Sequence, residues 1–218
     1  MGKINKLEKF AQNKESQNVI EPGKSWYDNV KGNWSTYFGN INPIVLELAC
    51  GWGEYTLELA RQFSNKNFIG VDVKGDRVWR GSQHALKEQL TNVAFLRTHI
   101  IEILHLFGQG EVDEIWLTFP DPQPKDRNEK HRLSNKAYLQ KYRQILKPEG
   151  WFRFKTDNTM LFEYTLQALA DLDIKDHQFT FDLYESDLLE EHYGIQTKYE
   201  RIWTAKGEKI KYMKFRFA

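Results

Sequence analysis

The chain has 218 residues, 31 basic and 30 acidic side chains, and a formal net charge of +1, so overall charge neither favours nor excludes a nucleic-acid partner and any basic surface must be local. Hydrophobic residues make up 40% of the chain, with 7 Trp, 10 Tyr and 14 Phe, which is enough for the core of one ordinary domain and excludes a disordered or fibrous chain. The lone cysteine, Cys50, cannot close an internal disulfide, no Cys/His cluster has metal-ligand spacing, and no run is apolar enough for a signal peptide or a membrane span, so a cytoplasmic protein with no metal and no membrane attachment is expected.

Residues 1–20 are polar and without clear periodicity, which predicts a flexible arm with one helical turn near Leu7–Phe10, followed by a single domain over 21–218. Pro43 opens an apolar run over 44–49, bounded by CGWG at 50–53, the pattern of a buried strand and a tight turn. Tyr55, Leu57, Leu59, Ala60 and Phe63 then recur at near-helical spacing. A second apolar run, 67–73, ends in an acid; 76–90 is again helix-like; 93–97 reads as a third strand and 100–107 as one or two helical turns. DEIWLTF, 113–119, is a fourth strand that stops at PDPQP. Ser134 is positioned to cap a helix over 135–146, with Gly150 punctuating its end. WFRFKTD, 151–157, alternates bulky apolar with basic residues as a half-buried strand does, a helix follows over 158–171, and two closing strands lie at Phe179–Leu183 and in the tail up to Phe217. This alternation predicts an α/β fold of Rossmann-like type, a mostly parallel sheet with helices on both faces and an antiparallel pair at one edge. In open sheets of this kind a ligand lies outside the carboxyl ends of the strands.

Every motif of interest falls at such an end. Glu47, Gly51 and Gly53 form an acid-x-x-x-Gly-x-Gly turn; glycine there lets the backbone approach a ligand, although a plain strand-to-helix turn explains it equally well. Asp72 ends the second strand 25 residues later, where an acid either accepts from both hydroxyls of a nucleoside ribose or caps the next helix. After the fourth strand, prolines on either side hold Asp121 rigidly, and Lys125, Arg127, Lys130, Arg132 and Lys136 follow against only Asp126 and Glu129. A basic loop beside a candidate site suits a polyanion such as RNA, though most charge runs are simply solvated. In KTDN, 155–158, Asp157 faces the same crevice as Asp121, or Asp157 or Asn158 simply caps the following helix. Thr197-Lys198-Tyr199-Glu200 has the spacing of a capping box, a sufficient local explanation. Cys50 reads as a small buried residue, and His99 as either a contact to a cofactor's base or a loop histidine.

Taken together, these residues resemble the bacterial tRNA (guanine-N7-)-methyltransferase family, within the class I S-adenosylmethionine-dependent methyltransferases, from about Asn42 to Phe217. The most specific segment is FPDPQPKDRNEKHRL, 119–133, which resembles the family's F-(P/S)-D-P-W-x-K-x-R-H-x-K-R-R stretch; KTDN and TKYE are the next most telling. The resemblance implies transfer of a methyl group from S-adenosyl-L-methionine to N7 of a guanosine in tRNA, usually position 46. It implies that Glu47, Gly51, Gly53, Asp72, His99 and Asp121 meet the cofactor, that Asp121 is the catalytic acid, and that Lys125, Arg127, Lys130, Arg132, Asp157, Thr197, Lys198, Tyr199 and Glu200 meet the RNA. Ala49 stands where the family has its first glycine, Gln123 where it has Trp, His99 where it has Asp or Asn, and His131 where it has one of two paired arginines. A class I methyltransferase acting on another RNA or small substrate and a non-catalytic RNA-binding relative are the alternatives. No obligate protein partner is indicated, and oligomeric state is not legible.

Overall fold

A computed structural model describes residues 4–218. The first described segment is not the loose arm expected but a helix, α1 (Lys6–Glu15), closed at its start by a capping box: Asn5 Oδ1 accepts from the Glu8 amide at 2.9 Å and Glu8 Oε2 from the Asn5 amide at 3.0 Å. α1 docks through polar and cation–π contacts in place of an apolar stripe, which is why periodicity does not reveal it. The Arg97 guanidinium lies 4.7 Å from the Phe10 ring centre. Buried Asn13 donates to the Gly75 carbonyl at 2.8 Å. A two-residue strand, β1 (Val19–Ile20), and two short helices, α2 (Ser25–Asn29) and α3 (Trp34–Phe38), follow. Trp34 of α3 is fully buried, stacked on Phe107 at 5.0 Å and donating to the Leu106 carbonyl.

The alternating pattern then unfolds as expected: β2 (Ile44–Leu48), α4 (Glu54–Gln62), β3 (Asn67–Asp72), α5 (Gly75–Lys87), β4 (Val93–Arg97), α6 (Ile103–Leu106), β5 (Val112–Thr118), α7 (Lys136–Ile145), β6 (Leu146–Thr156), α8 (Thr159–Ala170), β7 (Ile174–Thr180), α9 (Lys198–Thr204) and β8 (Lys211–Phe217). The sheet runs β1-β4-β3-β2-β5-β6-β8-β7, parallel except for β8, which is antiparallel to both neighbours. Fully buried runs such as IVLEL in β2 reflect cover on both faces. One core packs α7 and α8 (Leu139, Tyr142, Phe162) on one face, and a second packs α4 and α5 (Tyr55, Leu59, Val78) on the other. The chain winds outward from β2 through β3 to β4, then returns to start again at β5. The strand order therefore switches between β2 and β5, and the carboxyl ends of both open onto the same rim.

Three local expectations are corrected. The helix after the proline loop is capped by Asn135, whose Oδ1 accepts from the Tyr138 amide, while Ser134 is buried and accepts from the Thr165 hydroxyl. Gly150 lies inside β6, at a register shift where an added Cβ would come within 2.9 Å of Leu146. The penultimate strand lies at Ile174–Thr180, earlier than 179–183; it is a largely polar edge strand with a bulge around Asp176, so alternation is weak there.

Candidate active site

The turn after β2 is built from left-handed backbone: Ala49, Gly51 and Gly53 have φ of 56°, 57° and 71°. The Cys50 amide donates to the Val71 carbonyl and the Gly51 amide to Asp72 Oδ2 at 3.0 Å, so the end of β3 draws the turn inward. Gly53, expected to meet the cofactor, is not among the residues that line the cleft. It sits over Phe95, where an added Cβ would lie 2.5 Å from the ring. Ala49 holds a conformation that disfavours any Cβ by about 1–2 kcal/mol, partly offset by the greater unfolded-state freedom of glycine, about 0.5–1 kcal/mol. Ala49→Gly is therefore expected to stabilise the fold by up to about 1 kcal/mol, a rise of about 2–4 °C in thermal midpoint; an unchanged or lower midpoint would show that the turn carries no such strain.

Glu47 is buried at the base of this turn. Its Oε2 accepts from the Thr56 amide at 2.8 Å and from the Thr56 hydroxyl, and its Oε1 from the Thr118 hydroxyl at 2.7 Å, so it ties β2 to α4 and β5. Burial pushes its carboxyl up to about 7; the bonds from Thr56 and Thr118 oppose this and the charge of Asp72 adds to it. An acid whose folded value is raised favours the native state fully below its unfolded value and loses that contribution as pH rises through the folded value. Native stability is thus expected to fall between about pH 4.5 and 7 by the release of one proton, a slope that Glu47→Gln removes. Urea unfolding across that range checks it, and an unchanged slope in the variant would count against it.

Above the turn opens a cleft of about 1210 Å³. Gly51, Asp72, His99 and Asp121 line it, from four different strand ends, together with Glu47 at its floor. Asp72 is held by the amides of Gly51 and Lys74 at 3.0 and 2.8 Å and by Arg77 at 3.7 Å. Asp121 is exposed between Pro120 and Pro122, one carboxylate oxygen accepting from the Gln123 amide at 3.2 Å. Its loop is set by two further non-glycine residues in left-handed backbone, Phe119 (φ 48°) and Gln123 (φ 46°), and by the Phe119 amide donating to the Lys155 carbonyl at 2.8 Å. Such conformations gather where the surrounding fold enforces them for a site.

The expected RNA contacts divide. Lys125, Arg127 and Lys130 are exposed on a 3-10 turn beside the cleft. Arg132 is not available there: it is buried, donates from Nε to the Gln123 carbonyl, and lies 4.4 Å from the Tyr164 ring centre, so it braces the loop. His131, beside it, lines the cleft. Thr197, Lys198 and Tyr199 also line it. Glu200 does not. It is fully buried, paired with Lys155 Nζ at 2.7 Å and accepting from the Tyr184 hydroxyl at 2.6 Å, and the amide half of the expected cap is made by Thr197 alone. Asp157 is half-buried and outside the cleft lining, its backbone carbonyl accepting from Lys211 Nζ at 2.7 Å. Burial raises its carboxyl. Tyr199, whose ring packs 5.4 Å from that of Phe119, is itself raised by burial first and then by the charges of Asp157 and Asp121. Lys155 was not among the expected site residues. The signal that marks it is its place on β6: Arg153 and Lys155 share the face opposite Phe152 and Phe154, and a cation on a buried strand face needs a partner.

A family model described as a putative methyltransferase matches residues 41–213. The chain is similar to a curated tRNA (guanine-N(7)-)-methyltransferase of Cytophaga hutchinsonii, 47% identical over 97% of both chains. It is 48% identical to the one from Bacteroides thetaiotaomicron, covering 99% of this chain and 86% of that one. Among solved structures, an antibiotic-related methyltransferase aligns with a TM-score of 0.61 at 18% identity over 84% and 92% of the two chains. The 16S rRNA methyltransferase KamB aligns at 0.61 and 14% identity over 100% and 95%, and these two likenesses carry the class I methyltransferase fold alone. The family match and the near full-length relatives agree with the strand-end cleft: the chain belongs to the tRNA (guanine-N7-)-methyltransferase family.

Proposed function

We propose that the protein transfers the methyl group of S-adenosylmethionine to N7 of a guanosine in tRNA, at position 46 of the variable region. The observation that carries this reading is the single cleft that joins Asp72 and the glycine turn on one side to Asp121 and an exposed basic turn on the other. The residues fit a nucleoside-bearing cofactor: Gly51 leaves open space where a Cβ would stand, and Asp72 is fixed by two backbone amides at the place a ribose would reach. Gly51 and Asp72 would hold it, with His99 near its base. When bound, the cofactor supplies an electrophilic sulfonium methyl, and guanine N7 has a lone pair and no proton, so no general base is needed. What the chain must supply is alignment, which is worth about 7–11 kcal/mol when reacting atoms are held in line. Asp121 faces the positive charge that the guanine ring gains, and accepts from the base's N–H groups.

The direct test is incubation with unmodified tRNA and methyl-labelled S-adenosylmethionine, followed by nucleoside identification. Label in 7-methylguanosine, lost when guanosine 46 is replaced, is expected; label in another nucleoside would overturn the reading. The basic turn gives a second expected result. Replacing Lys125, Arg127 and Lys130 by Gln should raise the tRNA KM and flatten the salt dependence of binding by about 0.7–0.9 for each phosphate no longer neutralised, with cofactor affinity unchanged. Equal losses for both ligands would mean that the turn acts on the fold.

A further inference from the structure

On the other side of β2 from the basic turn, the cleft mouth carries an arrangement that the reaction does not call for. Trp52 stands at the apex of the glycine turn with 39% of its surface exposed. The Arg80 guanidinium lies 3.9 Å from its ring centre, and Lys198 Nζ lies 5.9 Å from it. Lys74 stands on the same rim. The neighbouring arginines of α4 and α5 are paired with acids: Arg61 with Glu58 and Glu88, Arg77 with Asp72. Among the described residues no carboxylate pairs with Arg80, Lys74 or Lys198. The acids on this rim are Glu54, whose carboxylate is engaged by the Lys198 amide at 2.6 Å, and Asp76. An indole held half in solvent by a guanidinium, with unpaired cations beside it, matches the parts of a single-stranded RNA platform: a ring for a base and charges for its phosphates. A tight turn that needs only glycine conformations does not otherwise require an indole at its apex.

We propose that Trp52 and Arg80 form a stacking ledge for an unpaired base of the tRNA beside the methylated guanosine, with Lys198 and Lys74 on the adjoining phosphates. This inference rests on the tRNA reading above. The ledge holds the variable region from the cofactor side while the turn at Lys125–Lys130 holds it from the other, so that the target base is presented between two anchored flanks.

The test measures tRNA binding by filter retention and S-adenosylmethionine binding by calorimetry on the full chain, with Trp52→Ala, Trp52→Leu, Trp52→Phe and Arg80→Gln. Loss of one base–aromatic stack corresponds to about a ten-fold rise in tRNA Kd, expected for Trp52→Ala and Trp52→Leu, with cofactor Kd within about two-fold. Trp52→Phe, which keeps a ring, should recover most of the loss, and Arg80→Gln should weaken tRNA binding and lower its salt slope by about one. Thermal melting of each variant identifies any that fails to fold, and Arg80, at the helix surface, provides the variant that does not depend on the turn. Wild-type tRNA affinity in Trp52→Leu, or a cofactor Kd that shifts as much as that for tRNA, would overturn the ledge. Absence of 7-methylguanosine from the wild-type reaction would instead overturn the functional reading, whatever the variants bind.

Discussion

Asp121→Asn is expected to leave the protein folded and binding S-adenosylmethionine, and to lower kcat for methyl transfer on the order of 100-fold, the scale seen when one preorganised electrostatic contact to a transition state is removed. The substitution keeps the shape of the side chain and an oxygen for the Gln123 amide, so the loop between Pro120 and Pro122 should stay in place. What it removes is negative charge at the point where positive charge moves from sulfonium to guanine, and an acceptor for the base's N–H groups. Single-turnover rates with saturating tRNA and cofactor separate this from weaker binding. A kcat within a few-fold of wild type, with an unchanged melting temperature, would remove Asp121 from the chemistry.

The second large effect concerns stability. Lys155 and Glu200 are both fully buried, 45 residues apart in sequence, and their pair joins β6 to α9. Lys155 also donates to the Ile195 carbonyl at 3.2 Å and lies 3.4 Å from His192 Nδ1. Burial lowers the Lys155 ammonium and the Glu200 carboxylate opposes that shift. Removing one partner leaves the other charge buried and unpaired, a loss of about 3–5 kcal/mol. Lys155→Met is expected to lower the thermal midpoint on the order of 10 °C, and the paired change of Lys155→Met with Glu200→Gln to recover a large part of it. A double-mutant cycle in chemical denaturation measures the coupling; single and double variants that simply add would show that the two side chains do not act as a pair. Because α9 carries Thr197, Lys198 and Tyr199 into the cleft, the single variant should also lose tRNA affinity before it loses cofactor affinity.

The central sheet was legible because β2 to β5 are buried on both faces and announce themselves as short apolar runs between helical spacings, whereas β6 alternates apolar with basic residues and read as half-buried although Arg153 and Lys155 are in fact covered. The placement of Asp72 and Asp121 at one rim followed from that alternation, since parallel strands must end together. What was not legible depended on partners remote in the chain. α1 carries a buried asparagine where an amphipathic helix would show an apolar residue, and its docking uses Phe10 against Arg97. Glu200 satisfied a local capping pattern so well that nothing marked it as the partner of Lys155. Arg132 looked like one more member of a basic run, and only the fold shows that it turns inward to the Gln123 carbonyl and Tyr164. In each case the sequence reports a residue's type and immediate neighbours, whereas its role is decided by which surface the loop or helix presents.

The docking of the N-terminal segment also orders events during synthesis. Asn13 pairs with Gly75, 62 residues downstream, and Val19 of β1 pairs with Phe95 of β4. Because Gly75 and Phe95 follow them in the chain, α1 and β1 cannot find their places until those residues have been made, while β2 and β3 are by then already able to associate. α1 and β1 are thus made before the strands they cover and settle after them, sealing an edge assembled beneath them.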